Sequence, residues 1–205
     1  MNLKTRLDSH FVAVAAAAGA AALGGTAQNS EAAIVWSGAV NINIPTTTSG
    51  VYLNVVTGAN NTSPSLVPGW DVNPWGSGDL FFFNPSAPAG GVYVVSGAAP
   101  TNLAAGTPID GASTYGSGAG DATFALNSSN NLVGFRFQNE AAANQTQYGW
   151  MRILLSGSTI AQPRAIVEYA YEDSGAGIPA GAVPAPGSVA LLALGALGLT
   201  GRRRK

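Results

Sequence analysis

The sequence predicts an all-β protein in which an antiparallel β-sandwich or jelly-roll-like domain, residues 34–178, lies between an N-terminal signal helix and a C-terminal transmembrane helix. Three observations of the middle of the chain lead to this prediction. Apolar and polar residues alternate in short runs, clusters of Gly, Pro and Asn separate these runs, and no apolar stripe with helical spacing is present. Such alternation is typical of strands, and many short strands divided by turn residues are typical of sandwiches and jelly rolls.

Eight runs are candidate strands, of which residues 39–44 alternate most regularly. The others are residues 51–56, 79–83, 91–95, 122–126, 132–137, 148–155 and 165–171. Residues 126–132, LNSSNNL, predict a hairpin loop, because Asn and Ser accept the backbone geometry of turns. The glycine-rich segment 97–120 predicts a long surface loop with one short strand, and such loops often carry function.

The last two candidate strands allow a register to be predicted. If their hairpin turns near Ile160, Arg152 lies opposite Glu168, and the apolar side chains of Met151 and Ile153 point to the other face. Side chains alternate between the two faces of a strand, and opposite charges directly across from each other stabilise the pair. We therefore expect Arg152 and Glu168 to form a pair that faces solvent.

Residues 1–33 have the organisation of a secretory signal peptide. Two basic residues precede the apolar stretch 11–23, and small residues follow it. A basic start, an apolar stretch of about 7–15 residues and a small-residue cleavage site define such peptides. We expect export by the general secretion machinery, with cleavage after Ala27, or after Ala32 or Ala33.

The net charge of −1 hides an uneven distribution of charge along the chain. Most basic residues lie in the two end segments, so residues 34–178 retain eight acidic residues against three arginines. A domain with a net charge near −5 and no lysine cannot form the basic surface that nucleic-acid binding requires. The sequence therefore excludes nucleic acid as a partner.

The chain has no Cys, and its one histidine, His10, lies in the predicted signal peptide. The mature domain therefore lacks a thiol nucleophile, a Ser-His-Asp triad and the usual ligands of zinc. These absences favour a protein that is not an enzyme and that holds no cofactor or metal.

Residues 179–205 end in an apolar segment and a basic cluster. The 15 uncharged residues from Gly187 to Gly201 would extend about 22 Å as a helix, whereas the hydrocarbon core of a bilayer is about 30 Å thick. The four basic residues that follow stay on the cytoplasmic side by the positive-inside rule, which places the body of the protein outside. A segment this short predicts temporary insertion, and a permanent anchor is the alternative interpretation.

A short motif before the apolar segment completes a plan of three parts. They are the motif Val183, Pro184, Ala185, Pro186 and Gly187, the apolar helix of residues 188–201, and the basic cluster Arg202, Arg203, Arg204 and Lys205. In this order the three parts resemble the sorting signal of PEP-CTERM proteins, a family of bacterial surface proteins. Ala185 stands where that family usually has Glu.

The resemblance implies how the protein is processed and where it goes. It implies recognition and cleavage by an exosortase, a membrane transpeptidase, after transient residence in the inner membrane. It also implies release or transfer to the cell surface or extracellular matrix, in association with exopolysaccharide. On this basis we expect an exported structural protein.

Two other functions of the middle domain stay open. Exposed aromatic rings beside Asp and Asn suit sugar binding, and Trp70, Asp71 and Trp75 lie in such a stretch, GWDVNPWGSGDLFFFNP. Because residues 81–83 are three consecutive Phe, a strand must direct at least one ring to its other face. A glycosidase would need two carboxyl groups about 5–10 Å apart. The candidates for that pair are Glu140, Glu168, Glu172 and Asp173.

Overall fold

The computed structural model describes residues 33–184, which form fifteen strands and two short 3-10 helices. The strands are β1 (Ile34–Trp36), β2 (Ile42–Asn43), β3 (Tyr52–Leu53), β4 (Asn60–Asn61), β5 (Asn73–Trp75), β6 (Phe81–Phe83), β7 (Tyr93–Ser96), β8 (Ala99–Pro100), β9 (Pro108–Ile109), β10 (Tyr115–Gly116), β11 (Gly118–Ala119), β12 (Ser128–Asn139), β13 (Gln145–Leu155), β14 (Ala165–Glu172) and β15 (Ile178–Pro179). The 3-10 helices are Pro64–Leu66 and Glu140–Ala142. All strand pairs in this part of the chain are antiparallel, which confirms the predicted all-β antiparallel class.

One sheet of eight strands forms the centre of the domain. Its main path runs β1-β14-β13-β12-β7-β10, with β2 beside β14 and β8 beside β7. The other strands form three small sheets, which are β11-β6-β5, β15-β9 and β3-β4. This arrangement departs from the predicted sandwich or jelly roll, in which two sheets of similar size face each other. The reason is local, because Gly and Pro interrupt most runs outside β12, β13 and β14 after two to four residues.

The predicted register of the last hairpin is confirmed. Arg152 of β13 pairs with Glu168 of β14, and a bulge after this pair lets Ile153 pair with Ile166. The Nε atom of Arg152 lies 2.7 Å from Oε1 of Glu168. The side chains are 24% and 17% exposed, so the pair lies at the margin of the buried face and only partly in solvent.

The main hydrophobic core lies on the face of the large sheet that carries Met151, Ile153 and Leu155. Apolar side chains from the first half of the domain pack against this face, among them Ile44, Val51, Leu53, Val72, Leu80 and Phe82. Phe135 of β12 lies across from Gly149 of β13. A Cβ atom at residue 149 would lie 2.6 Å from Cζ of Phe135, so glycine is required there to leave room for the ring.

The opposite face of the large sheet, which carries Arg152 and Glu168, is covered as well at its centre. Trp150 and Ala170 pair across β13 and β14, and both are fully buried in a second, smaller core. Ile109 of β9 and Ile178 of β15 belong to the same core. Residues 97–120, predicted as a surface loop with one short strand, hold the four strands β8–β11 and supply part of this cover.

Residues 122–126 were predicted to form a strand, and this prediction is wrong. Oδ1 of Asn131 accepts a hydrogen bond from the Ala125 amide at 2.7 Å, and Nδ2 donates to the Ala125 carbonyl at 3.0 Å. The buried Asn131 side chain therefore makes the hydrogen bonds to the Ala125 backbone that a neighbouring strand would make. β12 begins at Ser128, so most of the predicted hairpin loop 126–132 belongs to a strand.

The predicted end segments fall almost entirely outside residues 33–184. This applies to the signal peptide, apart from Ala33, and to the apolar helix 188–201. Between residues 33 and 184, no helix has the length and apolar character needed to cross a membrane. Towards the C-terminal end of this range, Nε1 of Trp150 donates to the Ala182 carbonyl at 2.9 Å, so tertiary contacts continue to the residue before the predicted sorting motif.

Candidate ligand-binding site

A cavity of about 560 Å³ opens where the loop before β5 meets the end of β6. Its lining includes Trp70, Asp71, Phe83, Asn84, Gln138 and Glu140. Antiparallel pairing sets this geometry, because Asn73 at the start of β5 lies opposite Phe83 at the end of β6. The buried hydroxyl of Tyr93 ties the two strands together, since it accepts from the Asn73 amide and donates to the Phe83 carbonyl. The volume falls within the range of about 300–1,000 Å³ that is typical of small-ligand sites.

Two aromatic rings form one wall of the cavity. The rings of Trp70 and Phe83 are stacked, with centroids 6.1 Å apart and planes 21° from parallel. Tyr52 packs edge-on against Trp70 at 4.9 Å and supports it from the side. Phe82 is buried in the core while Phe83 is 52% exposed, which confirms that the three consecutive Phe residues use both faces of the strand.

Asp71 is a buried carboxyl group at the edge of the cavity. It is 3% exposed, and its Oδ2 accepts a hydrogen bond from the Val55 amide at 2.8 Å. The pKa of Asp71 is raised from 3.8 to about 7. Burial is the largest cause of this increase, the hydrogen bond from the Val55 amide partly offsets it, and the negative charge of Glu140 adds to it. The other oxygen, Oδ1, has no hydrogen-bond partner among the described residues.

Glu140 supplies a second carboxyl group, and this one is exposed. It begins the 3-10 helix between β12 and β13, where Oδ1 of Asn139 caps the Ala141 amide at 3.0 Å. The Glu140 side chain lies over Gly69, where a Cβ atom would be 2.8 Å from its Oε1. Gly69 has a φ of +62°, a backbone conformation that favours glycine beside Trp70.

The cavity therefore combines aromatic faces with groups that form hydrogen bonds. Stacked rings offer an apolar surface to the C–H face of a sugar, and carboxyl and amide groups bond to its hydroxyls. Near neutral pH the Asp71 carboxyl can donate as well as accept a hydrogen bond, because its pKa of about 7 keeps part of the population protonated.

Trp75 lies away from this cavity. It stacks on Phe81 across β5 and β6, with centroids 4.8 Å apart. Neither ring is among the lining residues. Of the predicted binding residues, Trp70 and Asp71 thus lie together, and Trp75 occupies a separate aromatic pair.

Sequence reasoning missed the partners that distant segments bring to Trp70 and Asp71. Phe83 could have been chosen from its alternation with Phe82, which belongs to the core. Glu140 was considered only as a member of a carboxylate pair, and no local signal connects it or Gln138 with residue 70. Gln138 and Glu140 reach Trp70 only because the chain reverses direction between β12 and β13.

The other acids considered for glycoside hydrolysis have structural partners elsewhere. Glu168 binds Arg152 and accepts from Nε1 of Trp36 at 3.0 Å. Glu172 accepts from the Ser174 amide, and Asp173 accepts from the Ala33 amide. Within the described part of the chain, no group of three His, Cys, Asp or Glu side chains could hold a metal ion.

The predicted sorting signal begins where the described residues end. Val183 is 44% exposed and Pro184 is exposed, whereas Ala185, Pro186, Gly187 and the cluster of residues 202–205 lie outside the described residues. Neither the curated proteins nor the solved structures include a match to the chain. A comparison with protein families finds the PEP-CTERM protein-sorting motif at residues 182–205. The chain therefore contains a PEP-CTERM sorting domain, which marks it as a secreted surface protein directed to exosortase processing.

Proposed function

We propose that this protein is a non-enzymatic component of the cell surface or extracellular matrix, which an exosortase cleaves and whose β-domain binds exopolysaccharide. The cavity beside Trp70 is the proposed binding site. The observation that carries the binding function is the stack of the half-buried Trp70 on the exposed Phe83, beside two carboxyl groups in one cavity.

The proposed cleavage rests on the length and position of the tail. The apolar segment is shorter than the hydrocarbon core of a bilayer is thick, so it suits transient membrane insertion better than permanent anchoring. The sorting motif follows the folded domain directly, because Ala182 is still bonded to Trp150 and Val183 is half-exposed. The basic cluster retains the tail on the cytoplasmic side while the enzyme acts.

Mass spectrometry of the mature protein from its native host tests the cleavage. We expect a C-terminus upstream of the basic cluster and an N-terminus created by signal peptidase. A protein purified from the surface that still ends in RRRK would contradict exosortase cleavage. Deletion of residues 183–205 serves as the control, and it should leave the protein exported but absent from its final location.

Binding is tested with a panel of polysaccharides and two matched variants. Trp70→Ala removes a ring of the cavity, whereas Trp75→Ala removes a ring of the separate Trp75–Phe81 pair. We expect Trp70→Ala to weaken binding at least about tenfold, and Trp75→Ala to leave affinity within about twofold. Equal losses in both variants would contradict the proposed site.

Hydrolysis of a bound polysaccharide would show that the protein is an enzyme and not only a binding protein. A raised pKa on one carboxyl group and a second carboxyl nearby are also features of glycosidases. Incubation of the protein with each bound polysaccharide should therefore release no reducing ends. Release that Glu140→Gln abolishes would contradict the non-enzymatic assignment.

A further inference from the structure

The ionisable side chains that line the Trp70 cavity are both acidic. They are Asp71 and Glu140, and the remaining lining residues carry no charge. The arginines between residues 33 and 184 are engaged elsewhere. Arg136 lies over the Tyr115 ring at 4.3 Å, Arg152 binds Glu168, and Arg164 is fully buried among carbonyl groups. No cation of the described domain therefore neutralises the two carboxyl groups from within the cavity.

Asp71 presents an acceptor to the cavity that the described domain leaves unused. Asp71 is only 3% exposed, and the Val55 amide donates to one of its oxygens. Oδ1 has no donor among the described residues, and Asp71 is one of the residues that line the cavity. A buried oxygen of this kind accepts a hydrogen bond most strongly from a donor that carries positive charge.

The aromatic wall also favours a ligand that carries positive charge. The face of a Trp or Phe ring carries partial negative charge and attracts ammonium groups, most strongly where the cation is partly desolvated. Trp70 and Phe83 provide such faces next to Asp71 and Glu140. Rings and carboxyl groups together favour a ligand that combines an apolar face with protonated amines, and they disfavour ligands that carry carboxylates.

We propose that the cavity selects a polysaccharide with free, protonated amino groups, such as a hexosamine polymer without N-acetyl groups, over neutral and acidic polysaccharides. This inference rests on the proposed polysaccharide-binding function and names the class of its ligand. The sugar ring stacks on Trp70, and its ammonium group lies between Asp71 and Glu140.

The pH dependence of binding follows from the groups that face Asp71. These are the Val55 amide, the carboxyl of Glu140, and the phenols of Tyr93, Tyr169 and Tyr171, whose pKa values burial raises. The phenols stay neutral near pH 7, so Asp71 is the group that changes charge there. The amino groups of hexosamines also lose their protons near neutral pH, so affinity should pass through a maximum where Asp71 is partly ionised and the amine is still partly protonated, and it should fall at high salt.

The test uses isothermal titration of the purified exported protein with three hexasaccharides of matched length. They are hexaglucosamine, its fully N-acetylated form and hexagalacturonate. We expect hexaglucosamine to bind about tenfold more tightly than the N-acetylated form, and hexagalacturonate to show no binding. Glu140→Gln should weaken hexaglucosamine about fivefold to tenfold and leave the N-acetylated form unchanged.

A matched control separates local charge from net charge. Asp110→Asn removes one negative charge outside the cavity and keeps the oxygen that accepts from the Ala112 amide. We expect this variant to bind all three hexasaccharides as the unmodified protein does. If Asp110→Asn weakened hexaglucosamine as much as Glu140→Gln, the selectivity would come from overall charge and the inference would be overturned.

Three further results would be decisive. Equal affinity for hexaglucosamine and its N-acetylated form, unchanged in Glu140→Gln, would overturn amine selection and leave polysaccharide binding in place. Failure of every hexasaccharide and polysaccharide would overturn the proposed function itself. A lysine hexapeptide that bound more tightly than hexaglucosamine would show that charge alone acts, and it would overturn selection of an amino sugar.

Discussion

At the scale of single residues, Asp71 is both a buried residue of the fold and part of the proposed binding site. Its position after Trp70 directs a carboxyl group into the core, and burial raises the pKa of Asp71 to about 7. In the unfolded chain the same group has a pKa near 3.8. Between these two values the folded state holds a proton that the unfolded state has released, so stability depends on pH.

We predict that the free energy of unfolding falls as the pH rises from about 4 to about 7 and then levels off. The sign follows because a raised folded pKa stabilises the protonated form, and that contribution is lost as Asp71 ionises. The full shift corresponds to at most about 4 kcal/mol. Denaturant titrations of Asp71→Asn should show a flatter profile over this range. A profile as steep as that of Asp110→Asn, which retains Asp71, would contradict the prediction.

At the scale of the elements, the buried Arg164 joins loops that no strand pairing connects. Its guanidinium donates to the carbonyls of Ile44, Pro45, Gly76 and Thr159 at 2.7–3.2 Å. These carbonyls belong to the start of the domain, the end of β5 and the β13–β14 turn. A charged group with several carbonyl partners replaces the backbone pairing that short, proline-rich segments cannot supply.

We predict that Arg164→Gln lowers the free energy of unfolding by about 3 kcal/mol or more, because several buried carbonyls lose their donors. The control, Arg152→Gln, removes a cation from the partly exposed pair with Glu168 and should cost under about 1 kcal/mol. Urea denaturation of both variants measures the difference. Similar losses for the two substitutions would contradict the structural role of Arg164.

The elements also show how far local patterns reach. Alternation and charge correctly predicted the register of β13 and β14 down to the Arg152–Glu168 pair. The same alternation wrongly predicted a strand at residues 122–126, because the side chain of Asn131 satisfies the Ala125 backbone. Alternation with a period of two indicates which residues share a face of a strand. It does not indicate whether a side chain makes the backbone hydrogen bonds that a neighbouring strand would otherwise make.

At the scale of the whole molecule, the segment before the sorting motif is part of the fold. Ile178 and Ala180 are buried over Trp150, and the Ala182 carbonyl accepts from its indole. The end of the domain therefore covers the second face of the sheet and leads directly into the tail. Exosortase would meet its motif with almost no spacer between it and the folded domain.

We predict that a chain ending at residue 177 is less stable than one ending at residue 184 by about 3 kcal/mol, the contribution of a buried Ile with its neighbours. Trp150 should become exposed, so its fluorescence should shift to longer wavelength. Val183→Ala, at a half-exposed position, serves as the control and should change stability by under about 0.5 kcal/mol. Equal stability of the two truncated chains would contradict this role.

By itself the sequence determined the antiparallel all-β class, the register of the last hairpin and the PEP-CTERM sorting signal. Each of these is local, since alternation, turn residues and an apolar segment beside a basic cluster act over a few to about twenty residues. Only the tertiary structure decided that the second face of the sheet is covered and that Trp70, Phe83 and Glu140 share one cavity. Those contacts join segments separated by long stretches of chain, and packing decides between them because many pairings satisfy the same local pattern.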